Sequence, residues 1–212
     1  MQKVKQALRA YFESLPVYSP ALDETIQAVV SHLEDHYHFK KGSIISELGP
    51  DNNDFWFLHE GLLKEMYKNT YQNNDTLFNI IPSNAIFVNE DTLFLGNHPQ
   101  HYFVAYTDVQ IVRFSQESFS EVFEKYPLIQ LLYVSGTAEI QKNRRARLTM
   151  LRMSKTIDRV NWVRTQRPDL YKNMDRITLA QYIGVSRASL YRAFEKKRKV
   201  SILRQNKPIE FF

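Results

Sequence analysis

The 212-residue chain contains no cysteine. That absence removes disulfides, thiolate zinc sites, cysteine-ligated iron–sulfur clusters and cysteine nucleophiles together. It fits a reducing compartment, so a cytoplasmic location is expected. No apolar run approaches the roughly 18 residues that span a bilayer, and no membrane partner is expected. The N-terminal stretch MQKVKQALRAYFESL lacks the apolar core and small-residue cleavage site of a signal peptide, and reads instead as an amphipathic helix. There is no paired-carboxylate motif, no nucleophile–base arrangement and no phosphate loop, so the chain is not expected to be an enzyme.

Acidic residues are scarce at one end only. Residues 1–141 hold 9 Lys/Arg and 18 Asp/Glu, a net of −9, whereas residues 142–212 hold 19 and 5, a net of +14. An acidic part joined to a strongly basic part suggests two roles on one chain, the basic one suited to a polyanion.

The basic part contains ITLAQYIGVSRASLYRAFEKK, Ile177–Lys197, which reads as a helix-turn-helix. Thr178 is placed to cap the first helix and Ser186 the second. Leu179, Ala180 and Ile183 fall on one face at helical spacing, as do Leu190, Ala193 and Phe194. Small Ala180 lets the helices approach steeply, and Gly184 supplies the sharp turn between them. Arg187, Ser189, Tyr191, Arg192, Lys196 and Lys197 are left outside, so the second helix offers a polar N-terminal half to a major groove.

Elsewhere the period divides the chain. Residues 4–35 are helical, with Val4, Leu8, Tyr11, Phe12 and Leu15 on one face and breaks at Pro16 and Pro20. Short strands follow at His36–Phe39, Ser43–Leu48, Phe55–His59, Leu62–Asn69, Thr76–Ile81, Ala85–Val88, Tyr102–Tyr106 and Val109–Phe114. Turn residues separate them, the pattern of an antiparallel sandwich or barrel. Ser115 or Ser118 opens another helix. A long helix then runs from Leu128 to about Met153. Leu128, Leu131, Val134 and Ala138 form its expected subunit interface, with Gly136 and Ala138 allowing close approach. Ser154–Arg167 is helical and ends at Pro168. Beyond the helix-turn-helix, Lys199–Leu203 and Pro208–Phe212 are expected to pair as a wing, with Arg204 and Lys207 near its tip.

This order resembles the Crp/Fnr family of bacterial transcription regulators. In the first half the resemblance rests on FKKGSIISELG, FWFLHEGLLKEMY and AYTDVQIVRFSQESFSEVFEKYP, with Gly42 and Gly61 similar to the family's turn glycines. In the second it rests on RITLAQYIGVSRASLYRAF. The resemblance implies an α+β chain. A cyclic-nucleotide-binding-like, jelly-roll-like antiparallel β-roll (1–115) would be followed by a dimerisation helix (116–153) and a winged helix-turn-helix (154–212). It further implies a homodimer on a near-palindromic double-stranded DNA site, with RNA polymerase as a further partner. Arg187 and Arg192 match the family's base- and phosphate-reading arginines. Ser189 and Tyr191 are placed for phosphate or base edges, and Thr178, Ser186 and Lys196 for phosphates.

The ligand half departs from the family pattern. Nucleotide-binding members hold the ribose with a glycine–glutamate segment and the cyclic phosphate with an arginine. Here Asn89-Glu90 replaces the first and His98-Pro99-Gln100-His101-Tyr102 stands in place of the second, and no arginine lies between Arg9 and Arg113. A buried phosphate would lack its bidentate partner, so cyclic AMP is not the expected effector. Asn89, Glu90, Gln100 and His101 are the candidate ligand residues. Haem is left open, on His32, His36, His38, His59, His98 and His101 with Met66; no metal site is assigned. The alternative reading is a small-molecule or haem sensor whose β-roll site is the main activity.

Overall fold

A computed structural model describes residues 1–33, 35–45, 54–68, 75–88 and 101–205, the last nine of these as backbone only. The chain divides into two compact units, Met1–Arg144 and Arg145–Phe212.

The first unit begins with helix α1 (Gln2–Glu13), which buries Val4, Leu8 and Phe12. A short 3₁₀ turn at Pro20–Leu22 leads into α2 (Asp23–Ser31), which opens with Asp23 and Glu24 against its positive end. Among the described residues seven strands follow: β1 (His36–Phe39), β2 (Phe55–Glu60), β3 (Leu63–Tyr67), β4 (Thr76–Ile81), β5 (Ala85–Phe87), β6 (His101–Ala105) and β7 (Val109–Phe114). They form one sheet in the order β1-β7-β2-β5 and another in the order β4-β3-β6, every pair antiparallel. Of the strand expected at Ser43–Leu48, Ile44 forms a bridge to Val104, and residues 46–48 lie outside the described residues.

The two-residue period of the strands decides which core each side chain enters. On β2, Trp56 and Leu58 point between the sheets with Leu63, Phe87, Phe103, Ala105 and Ile111. Phe57, with Val112 and Phe114 of β7, points the other way, onto α1, α2 and the start of the long helix. Gly61 turns the chain from β2 of one sheet to β3 of the other at φ +93°, where a Cβ would collide with the Asp108 carbonyl and sit 2.7 Å from Val109 Cγ1. Helix α3 (Gln116–Lys125) is capped by Ser115, whose Oγ accepts from Ser118 N at 3.1 Å. The long helix α4 (Ile129–Leu151) buries Ile129 and Leu132 and leaves Leu131, Val134 and Ala138 exposed, as is Leu128 just before it. Gly136, expected to face a partner, is instead buried within its own unit, 3.6 Å from the Tyr11 hydroxyl by its ideal Cβ position. The helical period sets this: 136 follows the inward positions 129 and 132 by about two turns and one turn respectively.

The second unit is helical throughout its described residues. After the end of α4 come α5 (Thr156–Gln166), α6 (Pro168–Asn173), α7 (Arg176–Tyr182) and α8 (Arg187–Gln205). Pro168 ends α5 and also starts α6, since its missing N–H costs nothing at a first helical position. Met150, Val160, Val163, Leu170, Leu179, Ala180, Tyr182, Ile183 and Leu190 form the core. The wing is corrected in part. Lys199–Leu203, expected as a strand, continues α8 through Gln205. No proline or glycine interrupts the chain between Gly184 and Pro208, and the Glu195–Lys199 run is rich in good helix formers. Arg204 therefore lies in the last turn of a helix, and Pro208–Phe212 with Lys207 lie outside the described residues.

Candidate nucleic-acid interface and sensor interior

In the second unit a turn at 183–186 joins α7 to α8. Gly184 turns the chain at φ +66°, with Leu151 Cδ2 3.0 Å from where a Cβ would lie. Ser186 caps α8, its Oγ accepting from Ser189 N at 3.1 Å. The cap of α7 is a correction. Asp175, rather than Thr178, receives the free amide, Thr178 N donating to Asp175 Oδ1 at 2.7 Å. A carboxylate one turn earlier is the stronger acceptor beside a helix N-terminus. Thr178 is then drawn into the core at 1% exposure, which removes it from the phosphate-contacting set.

Two arginines unremarked in the motif hold the turn. Arg159 donates from Nε to Met153 O at 2.8 Å and from Nη1 to Ile183 O at 2.9 Å. Arg147 donates from Nε to Tyr182 O at 3.1 Å and lies over the Tyr182 ring, 4.9 Å from its centroid. Together they satisfy carbonyls at the C-terminal end of α7, which have no partner inside the helix. Arg147 is thereby engaged in the fold and is not part of a solvated face.

The outward side of α8 carries Arg187, Tyr191, Arg192 and Lys196, all exposed. Ser189 is half-buried and accepts from Ser186 Oγ at 3.0 Å and from Arg192 Nη2 at 3.3 Å, which fixes the Arg192 fork along the helix. Arg176, the first residue of α7, lies 5.3 Å from the Tyr191 ring centroid and 5.8 Å from that of Phe194. The phenol is thus held by a cation over its face.

In the first unit, three of the four candidate ligand residues, Asn89, Glu90 and Gln100, lie outside the described residues. The fourth, His101, opens β6. Its Nδ1 lies 3.2 Å from Glu65 Oε1, off hydrogen-bond alignment, and its ring meets Phe78 edge-on at 4.5 Å and Tyr67 at 5.2 Å. Glu65 is 4% exposed. Arg144 of α4 donates from Nη2 to Glu65 Oε1 at 3.0 Å, with its guanidinium 5.4 Å from the Phe78 centroid. The sequence hides this pair, because 79 residues separate its members and Arg144 stands among other basic residues. A lone Glu at an inward strand position was the available signal. Among the described residues no group of three or more His, Asp or Glu side chains could hold a metal ion, and no helix is long and apolar enough to cross a membrane.

The architecture is that of a cyclic-nucleotide-binding-like roll followed by helices. Residues 37–126 match the cyclic nucleotide-binding domain family. Among solved structures, the chain is similar to CLP of Xanthomonas campestris, described as a c-di-GMP-responsive global regulator. That match has a TM-score of 0.64 at 17% identity and covers 84% of this chain and 92% of that one. It is also similar to a cyclic nucleotide-binding domain from Methylobacillus flagellatus, with TM-score 0.60, 9% identity and coverage of 73% and 87%. A variant of CooA from Carboxydothermus hydrogenoformans gives TM-score 0.58 at 13% identity, covering 89% and 83%. No curated protein sequence matches the chain. The likeness at these identities is one of fold, shared with Crp/Fnr-type regulators and sensor domains.

Proposed function

We propose that the protein is a homodimeric, sequence-specific transcription regulator of the Crp/Fnr type, which reads a near-palindromic DNA site in the major groove and is not controlled by cyclic AMP. The observation that carries this reading is the outward face of α8. Arg187, Tyr191, Arg192 and Lys196 stand exposed on a helix whose N-terminus is capped by Ser186 and whose entry turn is fixed by Arg159. In the proposal Arg187 and Arg192 supply planar forks for guanine edges or phosphates. Ser186, Ser189 and Lys196 position the backbone, and Tyr191 contacts phosphate or a base edge from beneath Arg176. Each protomer contributes one such helix. Leu128 just before α4 and Leu131, Val134 and Ala138 along it, all exposed, form the subunit interface. RNA polymerase is the further partner such a regulator engages.

Fluorescence anisotropy on a random-sequence duplex across a salt series tests the interface. A steep fall of affinity with salt, about 0.9 decade per decade of salt for each phosphate neutralised, is the expected result. Binding that is absent at low salt overturns the reading.

A further inference from the structure

Glu65 is an unusual occupant of a strand interior. Its neighbours on the inward face of the roll are Leu63, Phe103 and Ala105, all apolar and buried. A carboxylate there is costly unless paired, and the chain supplies the pair from a distant element. Arg144 of α4 reaches Glu65 Oε1 at 3.0 Å, and His101 Nδ1 lies 3.2 Å from the same oxygen. Phe78 and Tyr67 wall the group, against the guanidinium and the imidazole. Arg113, on β7, is committed to Asp54 at 2.7 Å and Asp35 at 3.6 Å.

A half-buried guanidinium flanked by an imidazole and aromatic walls is a competent anion site, because its planar fork matches carboxylate and phosphate oxygens. Here one of those oxygens belongs to the protein. We propose that Glu65 is an internal occupant of an anion site formed by Arg144 and His101, and that it determines specificity by closing the roll to phosphate-bearing ligands, cyclic nucleotides included. An entering phosphate meets a fixed carboxylate where the Arg144 guanidinium would otherwise receive it. The pair also joins β3 to α4 within the first unit. The inference stands apart from DNA binding, and so does its test.

The test is a gain of binding. The full-length wild type, E65Q, E65V and the double variant E65Q/R144Q are titrated with 3′,5′-cyclic AMP and, separately, with inorganic sulfate, by calorimetry and by thermal unfolding at matched ionic strength. E65Q keeps the shape and removes the charge; E65V suits a strand interior. The wild type is expected to show neither heat nor anion-specific stabilisation. E65Q or E65V gains about a hundredfold or more in anion affinity over wild type, the scale of one unopposed charge-assisted pair, and R144Q in the same background abolishes the gain. Binding of cyclic AMP or sulfate by the wild type as tight as by E65Q overturns the proposal. So does a folded E65Q that gains nothing, or a gain that survives R144Q. Loss of the native circular-dichroism signal in both single variants also contradicts it, since the carboxylate would then be a folding requirement and not an occupant.

Discussion

Arg159→Ala should destabilise the turn between α7 and α8 without touching the outward face of α8. The guanidinium makes two well-formed bonds, to Met153 O at 2.8 Å and Ile183 O at 2.9 Å, and a longer one to Gly184 O at 3.4 Å. A hydrogen bond from a charged donor contributes about 1.5–3 kcal/mol. The two bonds share one side chain, which is half-buried, and water can reach part of the vacated site, so their contributions do not add in full. The expected loss is about 2 kcal/mol. Arg159→Lys keeps the charge but has no planar fork to reach carbonyls on both sides of the turn, and should recover less than half of that. Equilibrium urea unfolding checks both variants, read at Trp162, which is half-buried on α5 in the same unit. A displacement of the Trp162 transition to lower urea at unchanged slope is the expected signature. An Arg159→Ala variant within about 0.5 kcal/mol of wild type would refute the claim that this residue holds the turn.

Three further predictions follow from the same geometry. Arg187→Ala should weaken binding to the preferred duplex by about 1–3 kcal/mol and relax one base position; equal loss on every sequence, measured by competition, would make Arg187 a phosphate contact. Val134→Glu places a charge on the exposed stripe of α4 and should yield monomers in sedimentation velocity with an unchanged far-ultraviolet spectrum; a retained dimer removes that stripe from the interface. His36 has its pKa lowered from 6.5, first by burial and then by the neighbouring His38. The unfolded chain therefore takes up a proton that the folded chain resists, so this stability is fully present above about pH 6.5 and is lost as the pH falls below it. His36→Gln should flatten that part of the stability–pH curve, and a curve of unchanged slope would show that His36 does not set it.

Much of the architecture was legible because two periods carry it. Alternation along Phe55–His59 separates Trp56 and Leu58 from Phe57, and the structure sends the two sets to different cores. The spacing of Leu179, Ala180, Ile183 and Leu190, with Gly184 between, places all four in one core and the glycine at positive φ. What periodicity does not report is competition between acceptors and between distant charges. Asp175 and Thr178 are both able to cap α7, and only the carboxylate's greater strength decides between them. The strand expected at Lys199–Leu203 yields to a helix already propagating without a breaker. Arg144 and Arg147 stand in a run of basic residues, yet each is drawn inward by a partner far along the chain, Glu65 and Tyr182 respectively. Such pairs exist only after the fold has brought their elements together.

Selection of bound duplexes from a random pool, followed by sequencing, addresses the central claim most directly. The account predicts enrichment of an inverted repeat whose half-sites lie about one helical turn apart, without any added ligand. Recovery of no preferred sequence, from a protein whose residues 145–212 remain folded, would contradict it.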